Sequence, residues 1–125
     1  MKRAFISFDF DNDQFLRDSI VGQARNSDTP FEIADWSVKE PFAQRNWEQR
    51  VYEKISQCDI FIVMVGPYTY ACEGVLKEIQ MAIQAGIPHF GIHGYANKSC
   101  PVPVGLDKTY RWTWDNIKSL IAGNR

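Results

Sequence analysis

An unbroken apolar run, "DIFIVMVG" at residues 59–66, constrains the fold of this chain more than any other stretch. A run of β-branched and large apolar residues without polar alternation is typical of a strand that is buried on both faces of a parallel sheet. Such a strand needs helices on both of its faces and crossover connections to its neighbours. We therefore expect residues 60–65 to form the central strand of an α/β domain.

The segments on either side of this run alternate between strand and helix patterns. The predicted strands are residues 3–8, 31–35, 59–66, 87–93 and 108–112, and the predicted helices are residues 13–24, 47–57, 75–85 and 113–123. Gly86 is the expected C-cap of the third helix, and Thr113 is the expected N-cap of the fourth. Because 125 residues fit one domain, the prediction is a single doubly wound domain at 1–125, with a five-stranded parallel sheet of flavodoxin-like order 2-1-3-4-5.

Charge and composition exclude several classes of function. With 14 basic and 15 acidic residues and a net charge of -1, the chain lacks the basic cluster expected of a nucleic-acid-binding protein. The N-terminal "MKRAFISFDFDND" has too few apolar residues before its first acid to form the core of a signal peptide or a membrane span. We expect a cytoplasmic protein with no nucleic-acid or membrane partner.

Neither the cysteines nor the histidines predict a metal centre. Cys58, Cys72 and Cys100 are odd in number and widely spaced, which predicts reduced thiols rather than a disulfide framework or a CxxC motif. His89 and His93 are four residues apart, but no carboxylate pair is near them in sequence. The expectation is that no metal binds.

The residues at the predicted strand ends distinguish among doubly wound modules. Strand 1 is followed by the acidic "DFDND", which would repel the phosphate that a flavodoxin binds at this point. A response-regulator receiver needs a phosphorylatable Asp at the end of strand 3, where this chain has Gly66 and Pro67. Neither GxGxxG nor GxxxxGK[ST] occurs, so the usual dinucleotide and P-loop motifs are absent from the sequence.

Four stretches in this order resemble a TIR domain, and more closely the bacterial TIR-like proteins of Thoeris anti-phage systems. They are "AFISF", "IADWS", "ISQCDIFIVMVGPYTY" and "LKEIQMAIQAGIPHFGIHG". The resemblance covers nearly the whole chain and places Glu78 at the position of the glutamate with which such enzymes cleave NAD. Many TIR domains carry a tryptophan four residues earlier, where this chain has Gly74, and Cys72 stands where a serine is frequent.

The resemblance also implies where the substrate binds. Ser7, Phe8 and Asp9 at the end of strand 1 are the candidates for contacts to the ribose or the ring, and Asp35 at the end of strand 2 is a further candidate. The aromatic face that the missing tryptophan would supply is assigned to three residues near the same edge: Trp36, Phe42 and Tyr70. NAD is the expected substrate, and no permanently bound cofactor is expected.

One carboxylate is sufficient for this chemistry, because the nicotinamide of NAD is already cationic and leaves as a neutral ring. The sequence places Glu78 in the first turn of its helix, exposed and kept ionised by the positive helix end. The alternative interpretation is that Glu78 and Glu73 are only favourably placed helix acids. Asp9, Asp11 and Asp13 are interpreted chiefly as loop and helix-capping acids.

The function implied by the resemblance is release of nicotinamide and an ADP-ribose product, which is hydrolysed, cyclised or joined to an acceptor. In anti-phage defence this product would act as a signal for a separate effector protein, and self-association or another TIR-type partner is expected. Two alternatives remain open. One is a non-catalytic TIR-like interaction module that binds through residues 36–46, and the other is an enzyme similar to nucleoside deoxyribosyltransferases.

Overall fold

A computed structural model of the chain describes residues 1–36 and 46–123, with Trp36 described by its backbone. Within these ranges the strands are β1 (Lys2–Phe8), β2 (Phe31–Trp36), β3 (Ile60–Val65), β4 (His89–His93) and β5 (Thr109–Arg111). The helices are α1 (Gln14–Ala24), α2 (Trp47–Ser56), α3 (Glu73–Ala85) and α4 (Trp114–Ile121), and a 3-10 turn covers Thr69–Ala71.

All five strands form one parallel sheet in the order β2-β1-β3-β4-β5. The predicted fold class and strand order are therefore confirmed. β3 lies at the centre, with Phe61 paired to Phe5 of β1 and to His89 of β4. Its six residues are all buried, as the unbroken apolar run predicted.

The sheet separates two apolar layers, because successive side chains of a strand point to opposite faces. On one face, residues of β1 and β3 such as Met64 pack with α1 and α4. On the other face, residues such as Phe61 pack with α2 and α3. The core candidates predicted from the sequence are all buried, as Trp47, Phe61, Met64, Met81 and Phe90 expose at most 8% of their surface.

The two predicted helix caps are also confirmed. Thr113 Oγ1 accepts a hydrogen bond of 3.1 Å from the backbone N–H of Asn116, which satisfies one free donor of α4. Gly86 ends α3 with φ of 72°, in the left-handed region that glycine adopts without steric cost.

Two element starts differ from the prediction by two residues, and the others by at most one. β4 begins at His89 rather than at residue 87, since Pro88 has no N–H to donate to a strand ladder. α3 begins at Glu73 rather than at Val75, so every residue of this helix lies further from its start than expected. No helix in the two described ranges has the length and apolar character needed to cross a bilayer.

Candidate active site

The candidate site lies at the carboxyl end of the sheet, between β1 and β3. In the order β2-β1-β3-β4-β5, the chain moves outward in one direction from β1 to β2 and in the other from β3 onward. Crevices at such a reversal of strand order are the usual ligand sites of open parallel sheets. Ser7 of β1 and Glu78 of α3 meet beside this reversal of strand order.

The Ser7 hydroxyl donates a hydrogen bond of 2.7 Å to Glu78 Oε1. Both side chains are buried, with 0% of Ser7 and 2% of Glu78 exposed. A short bond from a hydroxyl to a carboxylate inside a protein is among the stronger hydrogen bonds and fixes the carboxylate orientation. The structure thus brings together two of the predicted site residues, 71 positions apart in the chain.

Glu78 is not the exposed first-turn acid that was expected. α3 starts at Glu73, which makes Glu78 the sixth residue of the helix. At helical spacing, Glu78 shares a face with Val75 and Ala82, and all three are buried against the sheet. The expectation of an exposed carboxylate in the first turn of the helix was therefore wrong.

Asp9 and Cys72 flank this pair. Asp9 follows β1, exposes 5% of its surface and accepts a hydrogen bond of 2.7 Å from the Asn12 side-chain amide. Burial raises the pKa of the Cys72 thiol, a backbone N–H of α3 opposes the rise, and the carboxylates of Asp9 and Glu78 add to it. The site therefore combines a protonated thiol with two carboxyl groups at neutral pH.

Asp13 is a third buried carboxyl group at this edge, and its burial was not predicted from the sequence. It occupies the N-cap position of α1, but its side chain makes no capping bond. Instead it accepts hydrogen bonds of 3.1 Å from the Tyr95 hydroxyl and 3.3 Å from Thr69 Oγ1. Burial raises the pKa of Asp13, the Tyr95 hydrogen bond opposes the rise, and Asp9 adds to it. The interpretation of Asp13 as a capping acid was wrong, because the carboxylate turns inward.

Asp13 lies so close to the end of β3 that the next residue, Gly66, has no room for a side chain. A Cβ added at Gly66 would collide with the Asp13 carboxyl group. The Gly66 N–H donates a hydrogen bond of 2.8 Å to Thr69 Oγ1, which in turn donates to Asp13. A glycine at the end of a strand is a signal of close backbone approach, and here it marks this cluster.

The structure gives two predicted substrate-binding residues contacts outside the Ser7–Glu78 pair. The Phe8 ring is buried in the layer of α1 and α4, with its centroid 5.6 Å from that of Phe10. It faces away from Ser7 because adjacent strand residues alternate. Asp35 forms an ion pair with Lys54 of α2, with 3.5 Å between Nζ and Oδ2.

The predicted aromatic face is described only in part. Tyr70 lies in the 3-10 turn after β3 and is 48% exposed. Trp36 ends β2, with its side chain outside the described atoms, and Phe42 lies outside the described residues. The roles of these three residues and of Asp35 in substrate binding stay predictions.

Comparison with known proteins supports the fold and gives the family. A crystal structure of a prokaryotic SEFIR domain superimposes with a TM-score of 0.54 at 12% identity, covering 98% of this chain and 88% of that one. A comparison with curated proteins gave no match. The sequence model of the Thoeris protein ThsB, TIR-like domain, matches residues 5–99, which include Ser7, Asp9, Asp13 and Glu78. The chain therefore belongs to the TIR-like domain family of the Thoeris protein ThsB.

Proposed function

We propose that the protein cleaves the bond between nicotinamide and ribose in NAD, with Glu78 as the catalytic residue. The observation that carries this proposal is the Glu78 carboxylate, held by Ser7 at 2.7 Å beside the β1/β3 reversal of strand order in a TIR-like chain. An acid with only a surface role on the helix would have no reason to be almost completely buried and hydrogen-bonded to the central strands.

The cleavage needs charge stabilisation more than proton transfer. As the bond breaks, its electron pair moves to the cationic nicotinamide, which leaves neutral, and positive charge develops on the ribose. A carboxylate beside the ribose stabilises this oxocarbenium ion, and a preorganised contact of this kind contributes about 3 to 4 kcal/mol. Ser7 keeps the carboxylate oriented, so that little reorganisation is needed during the reaction.

Completion of the reaction requires a nucleophile at the ribose carbon. Water gives ADP-ribose, a group within the same nucleotide gives a cyclic product, and a separate acceptor gives a conjugate. In the function proposed here, this product is a signal that a separate effector protein detects during anti-phage defence. Because only 2% of Glu78 is exposed, substrate entry requires movement of the groups that cover it, and we expect activity to rise when the protein assembles with itself or with a TIR-type partner.

The decisive experiment is mass spectrometry of NAD after incubation with wild type, Glu78→Gln and Glu73→Gln. Glu73 is a matched control because it is an exposed acid in the first turn of the same helix. We expect nicotinamide release to fall by about 100-fold or more in Glu78→Gln, the scale of losing one preorganised electrostatic contact. Glu73→Gln should retain wild-type turnover. Equal turnover in all three proteins would remove Glu78 from catalysis.

A second candidate function is a non-catalytic TIR-type interaction module. It is favoured by Gly74, which stands in α3 where many TIR domains have a tryptophan. In that case wild type would release no nicotinamide in either dilute or concentrated, self-associated samples, while it would still bind a TIR partner. Incubation at both concentrations therefore separates the two functions.

A further inference from the structure

An aromatic pair of one exposed and one partly buried ring lies at the same carboxyl edge of the sheet as Glu78. Phe15, in the first turn of α1, exposes 67% of its surface. Its ring stacks with Tyr95, which follows β4, with centroids 6.4 Å apart and planes at 21°. The Lys98 ammonium lies 4.6 Å from the centroid of the Tyr95 ring. The edge thus presents the Phe15 ring to solvent, supported by Tyr95, with a cation beside it.

Contacts to buried groups fix the orientation of Tyr95 in this pair. The Tyr95 hydroxyl donates to the buried Asp13 carboxyl group, and Asp13 lies two residues before Phe15. The Gly94 N–H donates to Val65 O at 2.9 Å, which extends the β3–β4 pairing up to Tyr95. A single exposed apolar residue needs no explanation. Two stacked rings, one of them anchored by a buried acid, form a preorganised surface for a flat ligand.

We propose that the adenine ring of NAD stacks on the outer face of Phe15, whose ring is supported by Tyr95, and that Lys98 pairs with the diphosphate. This inference rests on the proposed function and extends it to the distal half of the substrate. β1 and β4 are both neighbours of β3, so their ends are two strand spacings apart, roughly 10 Å. A dinucleotide binds across the strand ends of such sheets and spans this separation.

The charges at this edge determine the direction in which the dinucleotide lies. Asp9 and Glu78 are buried near the end of β1, and their carboxyl groups repel a diphosphate but attract the cationic nicotinamide. Lys98 supplies a positive charge at the outer end, beside Tyr95. The nicotinamide ribose therefore faces Glu78, and the adenine faces the aromatic pair.

The test compares Phe15→Ala with Ile83→Ala, using NAD and nicotinamide mononucleotide as substrates. Ile83 is a matched control because it is also an exposed apolar residue, at 42%, and lies near the C-terminus of α3. Phe15→Ala should raise the KM for NAD by about tenfold or more, the scale of losing one base–aromatic stack. Its kcat should change little, since the contact is equal in ground and transition states. The rate of cleavage of nicotinamide mononucleotide, which has no adenine, should be unchanged. Ile83→Ala should change neither KM nor kcat for either substrate.

A binding measurement separates this inference from the proposed function. ADP-ribose is titrated against wild type and Phe15→Ala by calorimetry, without any need for turnover. If wild type releases no nicotinamide but Phe15→Ala weakens ADP-ribose binding, the proposed NAD cleavage fails and the subsite stands. If NAD is cleaved and Phe15→Ala leaves both KM and ADP-ribose affinity unchanged, the inference is overturned. A loss of self-association in Phe15→Ala, with both constants unchanged, would assign the rings to an interface between copies instead.

Discussion

A double-mutant cycle on Ser7 and Glu78 tests whether the central pair of the site interacts as the structure shows. Ser7→Ala removes the hydroxyl that donates to Glu78 Oε1 at 2.7 Å. Hydrogen bonds to charged groups contribute about 1.5 to 3 kcal/mol. Because both partners are buried, water does not replace the lost donor. We expect Ser7→Ala to lower the free energy of unfolding by about 2 kcal/mol.

The expected change in melting temperature follows from the chain length. For 125 residues, an unfolding entropy of about 2.1 cal/mol/K per residue gives roughly 0.26 kcal/mol/K. A loss of 2 kcal/mol therefore lowers Tm by about 8 °C. Ser56→Ala is the control, because this exposed hydroxyl donates only to the Glu53 carbonyl near the end of α2. It should leave Tm within about 2 °C of wild type.

The cycle is completed by measuring Ser7→Ala in the Glu78→Gln background. The glutamine keeps an oxygen that accepts from Ser7 but carries no buried charge. In that background Ser7→Ala should cost only about 1 kcal/mol, the value of a neutral hydrogen bond. The coupling energy is then about 1 kcal/mol, measured by urea unfolding at constant m-value. An equal cost of Ser7→Ala in both backgrounds would refute a charge-assisted bond between the two side chains.

Three further predictions concern the residues around this pair. Because burial raises the pKa of Asp13 above its ordinary value of 3.8, its favourable contribution is complete below that value and is lost as pH rises through the folded-state pKa. The stability of Asp13→Asn relative to wild type should therefore increase between pH 4 and pH 7 in urea unfolding, while exposed Asp11→Asn should show no such trend. Gly66→Ala places a Cβ against the Asp13 carboxyl group and should cost about 1 to 3 kcal/mol by the same assay. Thr113→Ala removes the N-cap bond of α4 and should cost about 1 kcal/mol, seen as a Tm lower by roughly 4 °C.

Much of the fold was predictable because its determinants are local. The apolar run of β3 has a direct physical meaning, since only a strand covered on both faces tolerates six consecutive buried residues. The caps at Gly86 and Thr113 likewise depend on the chemistry of single residues. Family membership was predicted from four stretches, and residues 5–99 confirm it.

The side-chain geometry of the site was less predictable because it depends on contacts between distant segments. Helical spacing puts Glu78 on the face of Val75 and Ala82, but its expected position in an exposed first turn rested on a helix start placed two residues too late. Phe8 was assigned to the site although it is adjacent to Ser7 in β1, and strand alternation sends the two side chains to opposite layers. The inward turn of Asp13 depends on Thr69 and Tyr95, which are far from it in sequence.

The distribution of buried polar groups gives an independent reason to place function at this edge. In the two described ranges, Ser7, Asp9, Asp13, Thr69 and Glu78 are buried polar residues at the carboxyl ends of the central strands, and Thr29 is the other. Burying a carboxyl group is costly even when it is hydrogen-bonded. The apolar layers on both sides of the sheet would be more stable with apolar residues at these positions. A protein that retains three buried acids at a strand-order reversal gives up stability where ligands bind, which is the pattern expected of a functional site.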